Sequence, residues 1–262
     1  MAKHNRIAQL ARGFRSTWRR PRAMAALLRH SSATFSQFGE DIVFDRLMAP
    51  TGAGIFVDVG ANHPVVGSNT YRMYERGWRG LAIDPNPQFA DLYRTYRPQD
   101  LYCAEGVSAK PASLIYFKFE NDQFNTMDED RAELLRGQGV LPVEVTSIPC
   151  RPLSMIVGEK LGNQQIDLLS VDCEGMDLEA IMSIDLTANR PTVIIVEDYQ
   201  KYATFRDGGA PASLEIAMRG EGYLPISQTA WSAMFVACDW RRLFSRSGAF
   251  AEDRLDTAYL PG

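Results

Sequence analysis

Four short runs of aliphatic and β-branched residues, each ending in an acid, constrain this chain more than any other feature: Ile55–Asp58, Leu81–Asp84, Asp167–Asp172 and Thr192–Glu197. Around them lie stretches of helical spacing at Gly39–Leu47, Thr70–Arg76, Pro87–Tyr96, Leu153–Leu161, Leu178–Ser183 and Ala212–Arg219. Strands separated by helices need crossover connections, so the pattern predicts an α/β fold built on a parallel sheet. Ligands of such sheets bind beyond the carboxyl ends of the strands, which is where the four acids fall. Further strands are predicted at Leu101–Val107, Ile115–Phe119 and Val143–Ile148. A late pair around Tyr223–Ile226 and Ser232–Ala237 reads as an antiparallel addition at one edge. The stretch Asn121–Gly139, rich in Asp, Glu, Arg and Gly, reads as a lid or substrate loop.

The first run sits in "GIFVDVGANHPVVGSNT", Gly54 to Thr70. Its strand breaks at Gly60-Ala61-Asn62, and a new element starts near the cap signal Ser68-Asn69-Thr70. A dinucleotide site needs three glycines spaced as GxGxxG to bring a helix N-terminus onto a pyrophosphate. One glycine followed by Ala and Asn does not supply that cradle. It suits a ligand end without phosphates, such as the amino acid end of S-adenosylmethionine, whose ammonium seeks carboxylates and carbonyls. Asp84 follows Gly60 by 24 residues, the position from which α/β nucleoside sites bind ribose hydroxyls. Read alone, an acid ending a strand is more often a cap or turn residue.

Length and charge narrow the class. With 262 residues and 45% hydrophobic content, the chain suits one soluble α/β domain with additions. The expected division is a basic helical extension at residues 1–34 and a single domain at 35–262. Residues 1–30 carry eight basic side chains and no acid; removing them leaves 20 basic against 32 acidic residues, a net of −12. An acidic body argues against a nucleic-acid surface, which needs clustered positive charge. The extension, with Leu10, Phe14, Trp18 and Leu27 among its arginines, has two readings: an appendage packed on the body or pairing homo-oligomers, or an amphipathic contact with anionic membrane. No stretch approaches the roughly 20 apolar residues that span a bilayer. Four cysteines without a CxxC pair suggest neither zinc nor disulfides and fit a reducing cytosol.

Four blocks are more specific than the glycine turn: "FSQFGEDIVFDRL", "FVDVGANHPVVGSNTYRMYERGWRGLAIDPNP", "IDLLSVDCEGMDLEAI" and "RPTVIIVED". Through them the chain resembles the FkbM family of S-adenosylmethionine-dependent methyltransferases, over roughly 60% of its length from Phe35 to Asp198. The resemblance implies a class I methyltransferase fold: a Rossmann-like, seven-stranded, mostly parallel sheet with its last strand antiparallel and helices on both faces. It also implies methyl transfer, typically to oxygen, and the His63-Pro64 variant of the turn is similar to enzymes of surface-polysaccharide loci. Carried over by position, Asp58, Gly60 and Asn62 would line the methionine end of the cofactor, with Ser68 and Asn69 from the same block. Asp84 would bind the ribose and Glu105 the adenine end, while Gln37 and Asp41 would close over the cofactor.

The remaining acids suggest the chemistry. Asp172, Glu174, Glu197 and Asp198 end adjacent strands in a parallel sheet, and unpaired carboxylates in one pocket repel. A divalent cation such as Mg²⁺, held by Asp172, Glu197 and Asp198, would relieve that repulsion and could bind an acceptor diol, as in metal-dependent O-methyltransferases. The plainer reading has Asp172 and Glu174 capping the helix near Asp177 and Glu197 pairing with Arg190. His63 and Asp172 are the two candidates for the base that takes the acceptor's proton. Tyr199 and Phe124 are candidates for stacking on a sugar face. Competing readings are a non-catalytic scaffold at the membrane, methylation of a small secondary metabolite, and, more weakly, an oxidoreductase, which the glycine spacing disfavours.

Overall fold

The strands of this computed structural model alternate in the side chains they bury, and that alternation builds both layers of the protein. Residues 32–48, 52–198 and 213–240 are described. The chain divides into the units Met1–Thr34 and Phe35–Gly262, and every described helix and strand belongs to the second. Residues 1–31 of the basic extension, the loop aromatic Tyr199 and the chain beyond residue 240 lie outside the described residues.

In chain order the elements begin with α1 (Glu40–Met48), β1 (Ile55–Val59), α2 (Tyr71–Glu75), β2 (Arg79–Ile83), α3 (Phe89–Tyr96), β3 (Leu101–Cys103), β4 (Gly106–Val107) and β5 (Ala112–Lys118). A 3₁₀ turn at Asp122–Phe124 leads to α4 (Glu129–Gly137), β6 (Glu144–Arg151), α5 (Leu153–Leu161), β7 (Leu168–Val171) and α6 (Asp177–Met182). The chain then forms β8 (Val193–Glu197), α7 (Ser213–Gly220), β9 (Tyr223–Gln228) and β10 (Ser232–Ala237). Seven strands form the main sheet in the order β3-β2-β1-β7-β8-β10-β9. The first five of these run parallel, and β10 runs antiparallel to both neighbours. This is the class I methyltransferase sheet, with its last strand reversed.

Period-two alternation sends Val57, Val59, Leu81, Leu169 and Ile194 to one face, against Leu153 and Ile156 of α5, Ile181 of α6 and Met218 of α7. Phe56, Leu168, Val193 and Ile195 point the other way, against Phe44 of α1 and Met73 of α2. Helices therefore cover both faces, as parallel strands buried on two sides require. Gly80 lies opposite Phe56 in the register, and a Cβ there would come within 2.3 Å of the Phe56 ring. Among the described residues no helix is long and apolar enough to cross a membrane.

Two expectations change. The predicted strand Leu101–Val107 is two strands: the chain leaves the main sheet after Cys103 and enters a small second sheet, ordered β4-β6-β5, at Gly106. A side chain at Gly106 would lie 2.5 Å from Cys150 Sγ, so this crossing depends on glycine. The expected lid loop Asn121–Gly139 holds the helix α4 instead. Asp128 caps it, accepting hydrogen bonds from the amides of Asp130 and Arg131. Only Ala132 and Leu135 of α4 are buried, against Phe117 and Phe119 of β5 and its end, so the apolar signal is thin.

Candidate active site

The turn after β1 is held by the strand beside it. The amides of Gly60 and Ala61 both donate to the Ile83 carbonyl, at 2.9 and 3.2 Å. Gly60 has φ +72° and Asn62 the left-handed φ of +46°, a conformation few side chains other than Asn accept. The Asn62 amide donates to Asp84 Oδ2 at 2.9 Å, and the Asn86 amide donates to Asp84 Oδ1 at 2.8 Å. Two chain reversals thus aim one carboxylate into the space above β1 and β2, next to the switch point between β1 and β7 where the strand order reverses.

That space is a cleft open to solvent. Of the nine cofactor candidates, Gln37, Asp58, Gly60, Asn62, Ser68, Asn69, Asp84 and Glu105 line it, and Asp172 lines it too. Asp41 does not. Its buried carboxylate accepts from the Phe35 amide and the Ser36 hydroxyl and pairs with Arg72 at 3.0 Å. It therefore organises the start of α1 and does not close over the cleft. Glu105 reaches the cleft with both oxygens already engaged by Arg151, at 2.6 and 2.8 Å. Those bonds hold its carboxyl below the usual range. A further wall comes from Tyr116, in the predicted strand β5, and from Asp122, Asn125 and Thr126 of the stretch expected to be a lid or substrate loop.

His63 lies outside the cleft lining. Its Nδ1 accepts hydrogen bonds from the amides of Val65 and Val66, at 3.1 and 3.0 Å. A neutral imidazole has one acceptor nitrogen, and His63 spends it on its own turn, while burial lowers its proton affinity. In this structure the nitrogen expected to take an acceptor's proton therefore faces its own turn and not the cleft. His63→Ala is expected to keep kcat within about threefold of the parent with an unshifted pH profile; a loss of turnover without loss of donor affinity would restore its role.

The acids beyond β7 and β8 converge, though not in the predicted set. Carboxylate oxygens of Asp172, Asp177 and Glu197 lie within 4.8 Å of one another. Asp198, expected as a ligand, is not in this trio; Asp177 takes its place because α6 begins directly under Asp172. Asp177, the first residue of that helix, also holds the turn before it, accepting from the amides of Cys173 (2.8 Å) and Gly175 (3.3 Å). The plainer expectation of Asp172 and Glu174 as caps, with Glu197 on Arg190, does not hold either. Arg190 bonds Asp239 and the carbonyls of Glu221 and Gly222.

Glu174 adopts φ +49° and pairs with Arg131 of α4 at 3.1 Å. Its carbonyl accepts from the Thr126 hydroxyl, so the second sheet grips the acidic turn at two points. Burial raises the carboxyls in this region: Asp84 to about 6, Asp177 to about 6 and Glu174 to about 7. Asp172 is pushed well up by burial, then by Glu174 and Asp177. Phe124 packs with Phe117 and Phe119 in the core of the second sheet, and Trp231 meets Phe38 edge to face.

The family described as the methyltransferase FkbM domain matches residues 58–224. No curated protein matches the chain. Among solved structures, a TehB-like SAM-dependent methyltransferase from Corynebacterium glutamicum is 14% identical, with a TM-score of 0.40, covering 88% of this chain and 99% of that one. The 1,6-didemethyltoxoflavin-N1-methyltransferase of Burkholderia thailandensis is 12% identical, with a TM-score of 0.39, covering 89% and 88%. An O-methyltransferase from Bacillus cereus in complex with SAH is 15% identical, with a TM-score of 0.38, covering 82% and 86%.

Proposed function

The chain belongs to the FkbM methyltransferase family, and on that premise we propose that it transfers a methyl group from S-adenosylmethionine to a hydroxyl oxygen. The acceptor in this reading is a sugar of a surface glycan or glycan precursor. When bound, S-adenosylmethionine supplies a methyl already activated on a sulfonium, which leaves alignment and the removal of one proton to the protein.

The observation that carries the reading is the pairing of the Gly60 turn with Asp84 in one cleft wall. Each Asp84 oxygen accepts one amide and keeps a lone pair for a ribose hydroxyl. The charge of the lining fits the donor as well. Asp58, Asp84, Glu105, Asp122, Asp172 and Glu174 line the cleft, and no lysine or arginine among the described residues does. Such a wall favours a cationic ligand and disfavours phosphates. Asp172 is the proposed base, since it lines the cleft beside the glycine turn.

A second reading adds a divalent cation on Asp172, Asp177 and Glu197, favoured by their convergence within 4.8 Å. Such an ion would offset their mutual repulsion and acidify a bound hydroxyl. Methyl transfer from labelled S-adenosylmethionine to a panel of glycans and nucleotide sugars, run with Mg²⁺ and with chelator, tests both readings. Label in a neutral glycan under both conditions is expected. Label only with metal would favour the cation. Label in a small metabolite alone would overturn the glycan assignment, and absence of donor binding would favour a scaffold.

A further inference from the structure

Arg97 is fully buried, 0% exposed, on the face of the sheet that carries Phe56. A buried guanidinium is costly unless its donors are met; here Nε and Nη1 are met and Nη2 has no hydrogen-bond partner among the described residues. Nε pairs with Asp100 at 2.7 Å, and Asp100 in turn accepts the Gly80 amide of β2. The rings of Phe56, Tyr93 and Tyr74 surround the guanidinium carbon at 5.0, 5.1 and 5.6 Å. Nη1 reaches the segment that forms the cleft wall, donating to Thr70 Oγ1 at 3.0 Å and, more weakly, to Ser68 Oγ and the Pro64 carbonyl at 3.4 Å.

The next bond sets a direction. The Thr70 hydroxyl accepts from Arg97 and donates its one proton to Asp58 Oδ2 at 2.5 Å. Thr70 is itself fully buried and absent from the cleft lining, whereas Asp58 lines the cleft. An unbroken chain therefore runs from the Phe56 face of the sheet to a cleft carboxylate: Asp100, Arg97, Thr70, Asp58. We propose that Arg97 is a positioning residue for the methyl donor, holding the Asp58 carboxylate, through Thr70, ready for the donor's ammonium. This rests on the donor assignment above.

The electrostatics agree with the geometry. Burial raises the Asp58 carboxyl, and the Thr70 hydrogen bond and the Arg97 charge act against that rise, as does a bond from Ser170. The other charges facing Asp58 are acidic: Asp100 on the Arg97 side, Asp84 at the end of β2 and Asp172 after β7. Among the described residues, Arg97 is the cation that acts on Asp58. Losing the chain would leave a carboxylate among acids, more readily protonated and worse at holding an ammonium.

The test is calorimetric titration of the full-length protein with S-adenosylmethionine from pH 5 to 9, for T70V, T70S and R97M/D100N, with D100N as reference. Thr70→Val keeps the shape and removes the relay, while Thr70→Ser keeps it. T70V and R97M/D100N are expected to bind about tenfold more weakly at neutral pH, with binding lost at a pH about one unit higher than in the parent. T70S should match the parent. If R97M/D100N does not fold, the threonine pair decides alone. Parent-like affinity and pH profile in T70V would overturn the proposal while leaving the donor assignment intact. A parent protein that does not bind the donor would overturn both.

Discussion

Asp84→Asn is expected to abolish donor binding in a protein that still unfolds cooperatively. Asparagine has one side-chain acceptor oxygen, and Asp84 uses both of its oxygens on the Asn62 and Asn86 amides. The substitution turns an amide against one of those amides and removes the charge toward the ribose diol. Two charge-assisted hydrogen bonds make the expected loss at least about 100-fold in affinity. The same carboxyl sets a pH dependence. Burial raises it from 3.8 to about 6. Between those values the folded, empty protein holds a proton that the unfolded chain has released. The stability linked to that proton is complete below the unfolded value and is lost as pH rises through about 6. Donor binding has the opposite sign, because hydroxyl donors require the ionised form. Affinity should be constant above about 6 and fall by up to about tenfold per unit below it. Titrations at several pH values check this, and a flat profile in the parent would remove Asp84 from the ribose position.

Gly60→Ala is expected to be the most damaging glycine-to-alanine change among the described residues. Gly60 has φ +72°, and a Cβ there would lie 1.7 Å from the Asp172 carbonyl oxygen, part of the backbone that follows β7. No rotamer relieves a clash with backbone, so β1 and β7 must separate at their carboxyl ends. A cost of about 4 kcal/mol, or a fall in Tm of roughly 10 °C, is expected, with loss of donor binding. Gly77→Ala is the control: φ is +89° with nothing within 4 Å of the added carbon, so only about 1 kcal/mol of backbone strain is expected. Thermal melts of the two variants separate clash from strain, and equal shifts would disprove the close approach.

The sheet was legible because its signal is local. Val193 to Val196 is a continuous apolar run closed by Glu197, and all five residues are buried, as in a strand covered on both faces. The glycine turn and Asp84 were legible through spacing along the chain. What the sequence hid depends on partners far apart in it. Arg151 engages Glu105 from 46 residues away, and Arg72 engages Asp41 from 31; neither pairing leaves a local pattern. His63 looked available because nothing nearby in the sequence competes for it, yet the amides that take its nitrogen are two and three residues on. Asp177 was read as part of a helix start, which it is, and its second place beside Asp172 and Glu197 needed β7 and β8 side by side. Arg97 drew no notice at all, because an arginine in a polar stretch gives no sign of burial.

The adjacency of β1 and β7 also has a meaning in time. Ile55 and Asp167, joined by a hydrogen bond at the start of this pairing, are 112 residues apart. A ribosome adding about 5–20 residues per second needs roughly ten seconds to make that interval. Until β7 arrives, the edge of β1 is bare and the Gly60 turn lacks its opposite wall, so a nascent chain is without a completed donor site to bind and be stabilised by. The donor can protect the finished enzyme but not the half-made one. Agents that guard exposed strand edges, and not cofactor supply, should therefore govern how much of this protein survives its own synthesis.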